Sequence, residues 1–278
     1  MGLKYHIRKF IPDAFVYFYK SLFVSNYYNY NQEKLRLKRM PRFQSGYSNL
    51  LIPAIKFADA ASFLYEYETI LEKEIYKFKS SNNKPFIIDC GANIGLSVLY
   101  FKRLFTESEV LCFEPDKVIF DILNDNINTF NLKNVTAINK AVWNENVVKE
   151  FSSEGADAGR LSLNSDKKTS MVECIKLSSF INRKVDFLKI DIEGAEVVVF
   201  EEIQNCLQHV NYIYVEYHSF VSKKQDLSDL LGILTDKGFR YYIKDAANSN
   251  ITNQFIDRAI YLEMDLQLHI FAINNNLN

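Results

Sequence analysis

The chain is poor in cysteine, glycine, proline and net charge, and each shortage excludes something. Its four cysteines, Cys90, Cys112, Cys174 and Cys206, stand far apart with no Cys-x-x-Cys pair. That leaves neither a disulfide frame nor a zinc cluster, and reads as reduced, mostly buried thiols of a cytosolic protein. Lys plus Arg number 33 against 34 Asp plus Glu, a net charge of −1. No global positive field exists to hold a nucleic-acid backbone, so no nucleic-acid partner is expected. Nine glycines and five prolines in a chain that is 48% hydrophobic and 24% charged exclude a collagen-like fibre, a mainly disordered chain and a coiled-coil rod. Long apolar runs are missing as well. The patch from Ile11 to Val24 is interrupted by Asp13 and Lys20, too short to span a bilayer and unlike a secretory signal. His6 stands where N-myristoylation wants Ser or Thr. A cytoplasmic location is the expectation.

Aromatic residues are plentiful, with 17 Tyr and 22 Phe. Many lie before residue 80, so that region is expected to pack against something. Residues 1–42 carry nine basic residues against two acids. This asymmetry suggests peripheral membrane contact through residues 1–42, where Lys and Arg meet anionic lipid and the rings of Phe10, Phe15, Tyr17 and Phe18 sit at the headgroup boundary. The plain alternative is a solvated helical extension. From Ala60 the apolar positions Phe63, Leu64, Tyr67, Ile70, Leu71, Ile75 and Phe78 predict one amphipathic helix, N-capped by Asp59. The Ser-Ser-Asn-Asn-Lys-Pro run at 80–85 ends it. Residues 1–84 therefore read as a helical extension or cap, and 85–278 as the main domain.

Within that domain strand and helix patterns alternate. Strands are expected at 86–90, 109–113, 135–141, 186–191, 212–217, 239–244 and 259–273, with helices at 94–105, 117–130, 195–207 and 227–237. This pattern implies parallel β-α-β units in a doubly wound, Rossmann-like α/β sheet, whose ligands bind just beyond the carboxyl ends of the strands. The stretch 151–170, rich in Ser, Gly, Asp and Lys, reads as a loop. It could lay 155–163 over an acceptor and bring Arg160 to a carboxylate or hydroxyl, or be a surface hairpin.

The first strand runs into Asp89-Cys90-Gly91-Ala92-Asn93-Ile94-Gly95, and the second ends at Glu114, 23 residues after Gly91. Glycines at a strand-to-helix turn let a ligand approach backbone N–H groups, and an acid about 20 residues on suits ribose hydroxyls. A dinucleotide fingerprint would place glycine where Asn93 and Leu96 stand, so the pyrophosphate cradle is poorly made. Asp89 would suit a ligand bearing an ammonium group. S-adenosylmethionine has ribose hydroxyls, an ammonium and no phosphate, and fits better than NAD.

The segments IIDCGANIGL, CFEPD, FLKIDIEGAE and VEYH resemble class I S-adenosylmethionine-dependent methyltransferases, and the FkbM family in particular, over roughly residues 60–220. The resemblance implies a seven-stranded sheet with its last strand antiparallel. It also implies methyl transfer, usually to a hydroxyl oxygen, often on sugars of surface polysaccharides or on other natural products. Asp89, Gly91, Asn93, Gly95 and Glu114 become the cofactor residues. After the third strand the wider class often places an acid for the adenine amino group, where this chain has Asn139; Asn139 or backbone groups would serve instead.

Lys189, Asp191, Glu193, Glu196, Glu216 and His218 gather after two adjacent strands. A lysine inside an apolar run must have its ammonium paired or in the cleft. Asp191 is placed to touch the acceptor, Glu193 sits on the turn with it, and Glu196 reads as a helix-capping acid. His218 or Asp191 is the candidate base for the hydroxyl proton. Catalysis is thus assigned to Asp191, His218 and Lys189, and acceptor binding to Glu193 and Arg160. His6, His209 and His269 read as structural. Asp191 and Glu193 offer hard oxygen ligands, but with no Asp-Asn pair at a second strand end no metal is expected. The expected function is O-methylation of a glycan or other small-molecule acceptor. The alternatives are an NAD-dependent oxidoreductase, or an inactive binding scaffold on the same fold.

Overall fold

A computed structural model describes residues 25–152, 160–161, 169–246 and 263–275. The first part is the cap: helix α1 (Ser25–Lys38), a two-stranded hairpin β1 (Gly46–Ser48) and β2 (Ile55–Phe57), and helix α2 (Ala60–Glu66). Asp59 caps α2 as expected, its carboxylate accepting from the Ser62 N–H at 3.0 Å. The single long helix foreseen to Phe78 does not form. From Tyr67 to Glu72 the turns widen to π geometry, with the Lys73 N–H on the Glu68 carbonyl at 3.0 Å, and Glu74 then takes φ 54°. The extra residue per turn breaks the 3.6-residue period. Tyr76 and Phe78 consequently reach the core from a non-helical path, where their spacing had mimicked a helix.

The main sheet has seven strands in the order β12-β13-β11-β10-β3-β4-β5. They are β3 (Phe86–Cys90), β4 (Glu109–Phe113), β5 (Val135–Ile138), β10 (Val185–Ile190), β11 (Val210–Phe220), β12 (Phe239–Asp245) and β13 (Met264–Asn274). Strands β3, β4, β5, β10 and β11 pair in parallel, and β13 runs antiparallel to both its neighbours. The helices are α3 (Leu96–Leu104), α4 (Lys117–Thr129), α5 (Glu196–Ile203) and α6 (Leu227–Asp236). Strands β3 and β10 are buried along their whole length, which is why they read as continuous apolar runs rather than alternating ones.

The third predicted strand stops at Ile138 and the chain starts a second, four-stranded sheet in the order β6-β9-β7-β8. It comprises β6 (Ala141–Trp143), β7 (Val147–Ser152), β8 (Arg160–Leu161) and β9 (Thr169–Lys176). The ends of the expected 151–170 loop therefore belong to strands, with Ser152 paired to both Arg160 and Thr169. The covering stretch 155–163 lies outside the described residues except for the backbone of 160–161.

One face of the main sheet shares its core with the cap. Leu37, Phe57, Phe63, Tyr76 and Phe78 pack in one cluster with Ile87, Phe101, Phe187 and Tyr214. Phe78 alone meets the rings of Phe101, Phe105, Phe187 and Tyr212. The division at residue 84 is thus no boundary in packing. The cap's positive charge is also partly spent inside the molecule. Lys34 pairs with Glu68 and Glu72, both at 2.8 Å, Arg36 with Glu33 at 2.7 Å, and Arg42 with buried Asp59 at 3.1 Å. Residues 1–24, which carry most of the aromatics of the suggested membrane contact, lie outside the described residues. Among the described residues no helix is long and apolar enough to cross a membrane.

A shared core makes the cap a structural necessity. Phe78→Ala should cost about 3–5 kcal/mol, the usual price of a buried aromatic cavity, and should lower the melting temperature of the whole domain in one transition. A second, separate transition would mean that the cap folds on its own.

Candidate active site

The carboxyl ends of β3, β4, β10 and β11 open into a cleft enclosing about 1210 Å³, part of it continuous with solvent. After β3 the chain turns through Gly91 (φ 83°), Asn93 (φ 46°) and Gly95 (φ 94°) into α3. The N–H groups of Gly91 and Ala92 both donate to the Phe113 carbonyl, at 3.1 and 2.9 Å, tying the turn to β4. A Cβ on Gly91 would stand 1.9 Å from the Asp191 carbonyl oxygen. The glycine is therefore demanded by the approach of a neighbouring loop, in addition to any ligand.

Glu114, at the end of β4, faces the cleft and is buried. Its two oxygens accept the N–H groups of Asn93 at 3.0 Å and Asp116 at 2.9 Å. Burial pushes its carboxyl up to about 8, against the pull of those N–H donors. Asn93 lines the cleft too, and its side-chain amide donates to Glu66 of the cap at 2.5 Å. Asn139 is placed otherwise than expected. Its amide donates to the Glu114 and Pro115 carbonyls at 2.9 and 3.0 Å, so it braces the loop after β4. The cleft wall there consists of Lys140, Ala141 and Val142.

Asp89 also departs from its expected role. It is fully buried and lies behind the cleft surface, accepting from Ser97 Oγ at 2.5 Å and pairing with Lys189 Nζ at 3.3 Å. It is not among the residues that line the cleft. Lys189 Nζ lies 3.3 Å from Asp191 Oδ2 and donates to the Gly91 carbonyl at 2.8 Å. Burial alone would lower the Lys189 pKa, but Asp191 and Asp89 hold it well above the ordinary lysine value.

Asp191 and Glu193 follow β10 on a turn with φ 54° at Glu193 and 93° at Gly194, and both line the cleft. Burial and the neighbouring carboxylates outweigh Lys189 and raise Asp191 to about 6. Burial likewise raises Glu193 to about 8. Glu216, on β11, goes the other way. Burial would raise it, but His269, His218 and Lys189 hold it at about 2. Its oxygens accept from Tyr214 Oη at 3.1 Å and Gln267 Nε2 at 2.5 Å.

His218 is 4% exposed and lies behind the carboxylates rather than on the cleft wall. Its Nδ1 meets Glu196 Oε1 at 3.0 Å, and that oxygen also accepts the Gly194 N–H at 2.9 Å. Glu196 thus braces the turn and the imidazole together instead of capping α5, whose N-terminus has no side-chain cap. Gln267, which the sequence did not single out, and His269, which it read as structural, both reach the cleft. Register on the antiparallel strand β13 sets His269 opposite Glu216 and Gln267 opposite His218. Before β3, Tyr65, Thr69 and Tyr76 of the cap complete the wall. Arg160 pairs with Ser152 through its backbone, and its side chain lies outside the described residues.

A doubly wound sheet with a glycine turn, a buried glutamate on the next strand and acids beyond two further strands defines a nucleoside-cofactor transferase site. The chain belongs to the FkbM methyltransferase family: the Methyltransferase FkbM domain matches residues 89–241, more than half of its length. Methyltransferase 1 of Beauveria bassiana (strain ARSEF 2860) is 26% identical over 200 residues, 61% of this chain and 80% of that one. Methyltransferase sdnD of Sordaria araneosa is 40% identical over 67 residues, 24% of this chain and 25% of its own. The solved structure of the FkbM methyltransferase from Methylobacillus flagellatus KT is similar with a TM-score of 0.47 at 16% identity, over 69% of this chain. This chain covers 45% of that one's length. The protein is a methyltransferase, which sets aside the oxidoreductase and inactive-scaffold alternatives.

The family implies S-adenosylmethionine, and the residues present fit it. Each Glu114 oxygen accepts a single backbone N–H, which leaves a further site on each, a lone pair or the carboxyl proton, for a ribose hydroxyl. The wall also carries Asp191 and Glu216, whose carboxylates are ionised at neutral pH, favour a cationic sulfonium and ammonium, and repel a pyrophosphate.

The raised Glu114 carboxyl has a stability consequence with a definite sign. Between about 4.5 and 8 the folded chain holds a proton that the unfolded chain has lost, so this group costs stability as pH rises through that window. Glu114→Gln should flatten part of the fall in melting temperature between pH 5 and 8, whatever its constant offset. Parallel curves for parent and variant would show that the carboxyl is not raised.

Proposed function

We propose that this methyltransferase uses S-adenosylmethionine to methylate a hydroxyl oxygen of an uncharged glycan or other small polyol. The observation that carries this reading is the placing of Asp191, Glu193 and Glu216 together on the cleft wall. Such a wall repels carboxylate and phosphate acceptors and offers hydroxyl groups many partners. A place in surface polysaccharide biosynthesis follows from the resemblance of the sequence.

When bound, S-adenosylmethionine supplies a methyl carbon on a positively charged sulfur. Gly91, Asn93, Gly95 and Glu114 would hold it at the turn after β3. Asp191 is the base, since it lines the cleft and its carboxyl lies near 6, close to the operating pH where a general base works best. It would take the proton of the acceptor hydroxyl as that oxygen receives the methyl group, with S-adenosylhomocysteine as the leaving product. Lys189 orients Asp191 and keeps it from turning away. Glu193, raised to about 8, carries a proton near neutrality and donates to a second acceptor oxygen. His218, with no place on the cleft wall, acts through its neighbours rather than as the base. Arg160 remains a candidate contact to the acceptor.

The test is a panel of neutral sugars, uronic acids and sugar phosphates incubated with the protein and S-adenosylmethionine, with products read by mass. The expected product is a neutral acceptor one methyl heavier and stable to mild base, as an ether is and an ester is not. Asp191→Asn should keep S-adenosylhomocysteine affinity while losing turnover by about 10²-fold or more. Parent activity should fall as pH drops through about 6, where Asp191 takes up its proton. Undiminished turnover in Asp191→Asn would remove Asp191 as the base, and methylation confined to carboxylates would overturn the hydroxyl assignment.

A further inference from the structure

We propose that Asp191, Glu193 and His218 bind a divalent cation, Mg²⁺ or Mn²⁺, at the floor of the cleft, and that this ion holds the acceptor oxygen. One donor atom from each of the three side chains lies within 4.8 Å of the others. Two ligands of a common six-coordinate ion at about 2.1 Å stand about 3 Å apart when adjacent and about 4.2 Å apart when opposite. With one pair opposite and the others adjacent, the donors draw in by about 0.6 Å or more on binding, within reach of side-chain rotation.

The imidazole is set up as a ligand. Its Nδ1 is committed to Glu196 at 3.0 Å, and Glu196 is itself held by the Gly194 N–H at 2.9 Å. A carboxylate on one ring nitrogen fixes the tautomer and turns the lone pair of the other outward, the arrangement that accompanies metal-bound histidine. That other nitrogen, Nε2, lies 3.7 Å from Glu193 Oε2 and 4.0 Å from Glu216 Oε1. Both distances are too long for an N–H···O bond. The neighbour within 3.4 Å is the Gln267 amide nitrogen, and an ion here takes the place of the Nε2 proton that Glu193, Glu196 and Glu216 otherwise favour. A gap of this width between a nitrogen lone pair and carboxylate oxygens suits an ion better than a hydrogen bond.

A second, independent feature points to a ligand in the same place. Tyr76 is 3% exposed, is wedged between the rings of Phe101, Phe187 and Tyr214, and lines the same cleft. Its hydroxyl stands within electrostatic reach of Lys189, Asp191 and Glu216, where a water or acceptor hydroxyl on the ion would meet it. The sequence argued against a metal because no Asp-Asn pair follows a second strand. The third ligand comes instead from a histidine inside β11.

The acceptor-holding role rests on the methyl-transfer reading, whereas the ion site does not. The ion takes one oxygen of Asp191, leaving the other for the proton, and it displaces the proton that Glu193 carries in its absence, so Glu193 then holds the ion instead of an acceptor oxygen. A coordinated hydroxyl is more acidic and fixed in position, so Asp191 has less to do as base. The test begins with the full chain stripped by EDTA and titrated with MnCl₂ alone, read by electron paramagnetic resonance and calorimetry. One bound Mn²⁺ per chain is expected, with Mg²⁺ competing. Glu193→Gln and His218→Gln should each weaken binding tenfold or more while circular dichroism stays that of the parent. If His218→Gln fails to fold, Glu193→Gln carries the comparison. No saturable Mn²⁺ site, or unchanged affinity in folded Glu193→Gln, would overturn the proposal. With an acceptor in hand, turnover should fall at least tenfold in EDTA and return with Mg²⁺ or Mn²⁺. Full turnover in EDTA would overturn the acceptor-holding role and leave the methyl-transfer reading standing. Mn²⁺ binding without methylation of any acceptor would count against that reading and not against the ion site.

Discussion

The buried ammonium of Lys189 is the constraint on which the rest of the site depends. It is 2% exposed as a residue, and an ion so placed costs several kcal/mol unless its surroundings compensate. Three oxygens do so, from the Gly91 carbonyl, Asp89 and Asp191. These belong to the middle of β3, the turn after it and the turn after β10. Satisfying one charge therefore fixes the two central strands relative to each other. It also draws the glycine turn inward until no Cβ fits at Gly91, and aims Asp191 at the cleft. Asp89, which the motif suggested for a ligand, is spent on this internal requirement.

Around that point the molecule holds three carboxyl groups of one cleft in different states. Glu216 is ionised far into acid, Asp191 titrates near 6 and Glu193 near 8. Burial raises all three, and what differs is the opposing positive charge: His269, His218 and Lys189 bring Glu216 down, Lys189 and His218 offset part of the rise at Asp191, and His218 offsets little of it at Glu193. Environments that push like groups apart in pKa let one wall accept and donate hydrogen bonds at the same pH, as an acceptor carrying several hydroxyls requires.

The family match runs from residue 89 to 241, yet the cleft extends past it at both ends. Tyr65, Glu66 and Tyr76 come from the cap, and Gln267 and His269 from β13. The matched segment supplies the glycine turn, Glu114, Lys189 and Asp191. The flanking segments supply much of what an acceptor would meet, which is where members of one family can differ without disturbing their common chemistry.

Local pattern was enough for the order of strands and helices in the sheet, for the Asp59 cap, and for setting Gly91, Glu114, Lys189 and Asp191 at strand ends that open on one cleft. Those features rest on neighbours in the chain: an apolar run, a turn residue, an acid at a strand end. Where the reading failed, partners distant in sequence decided. The spacing of Ile75 and Phe78 suits a helix, but contacts with Phe101 and Phe187 draw Phe78 out of one. Asp89 and Asn139 have the chemistry of ligand contacts, but Lys189 and two backbone carbonyls claim them first. His269 lies 53 residues beyond Glu216 with nothing acidic in its local motif, and the antiparallel register of β13 sets the two face to face. The sequence by itself determined which strand ends carry the reactive groups, because strand direction and turn chemistry are local. Only the tertiary structure decided which of those groups face the cleft and which neutralise one another behind it, because burial and pairing of charge depend on residues that meet only when the sheet is assembled.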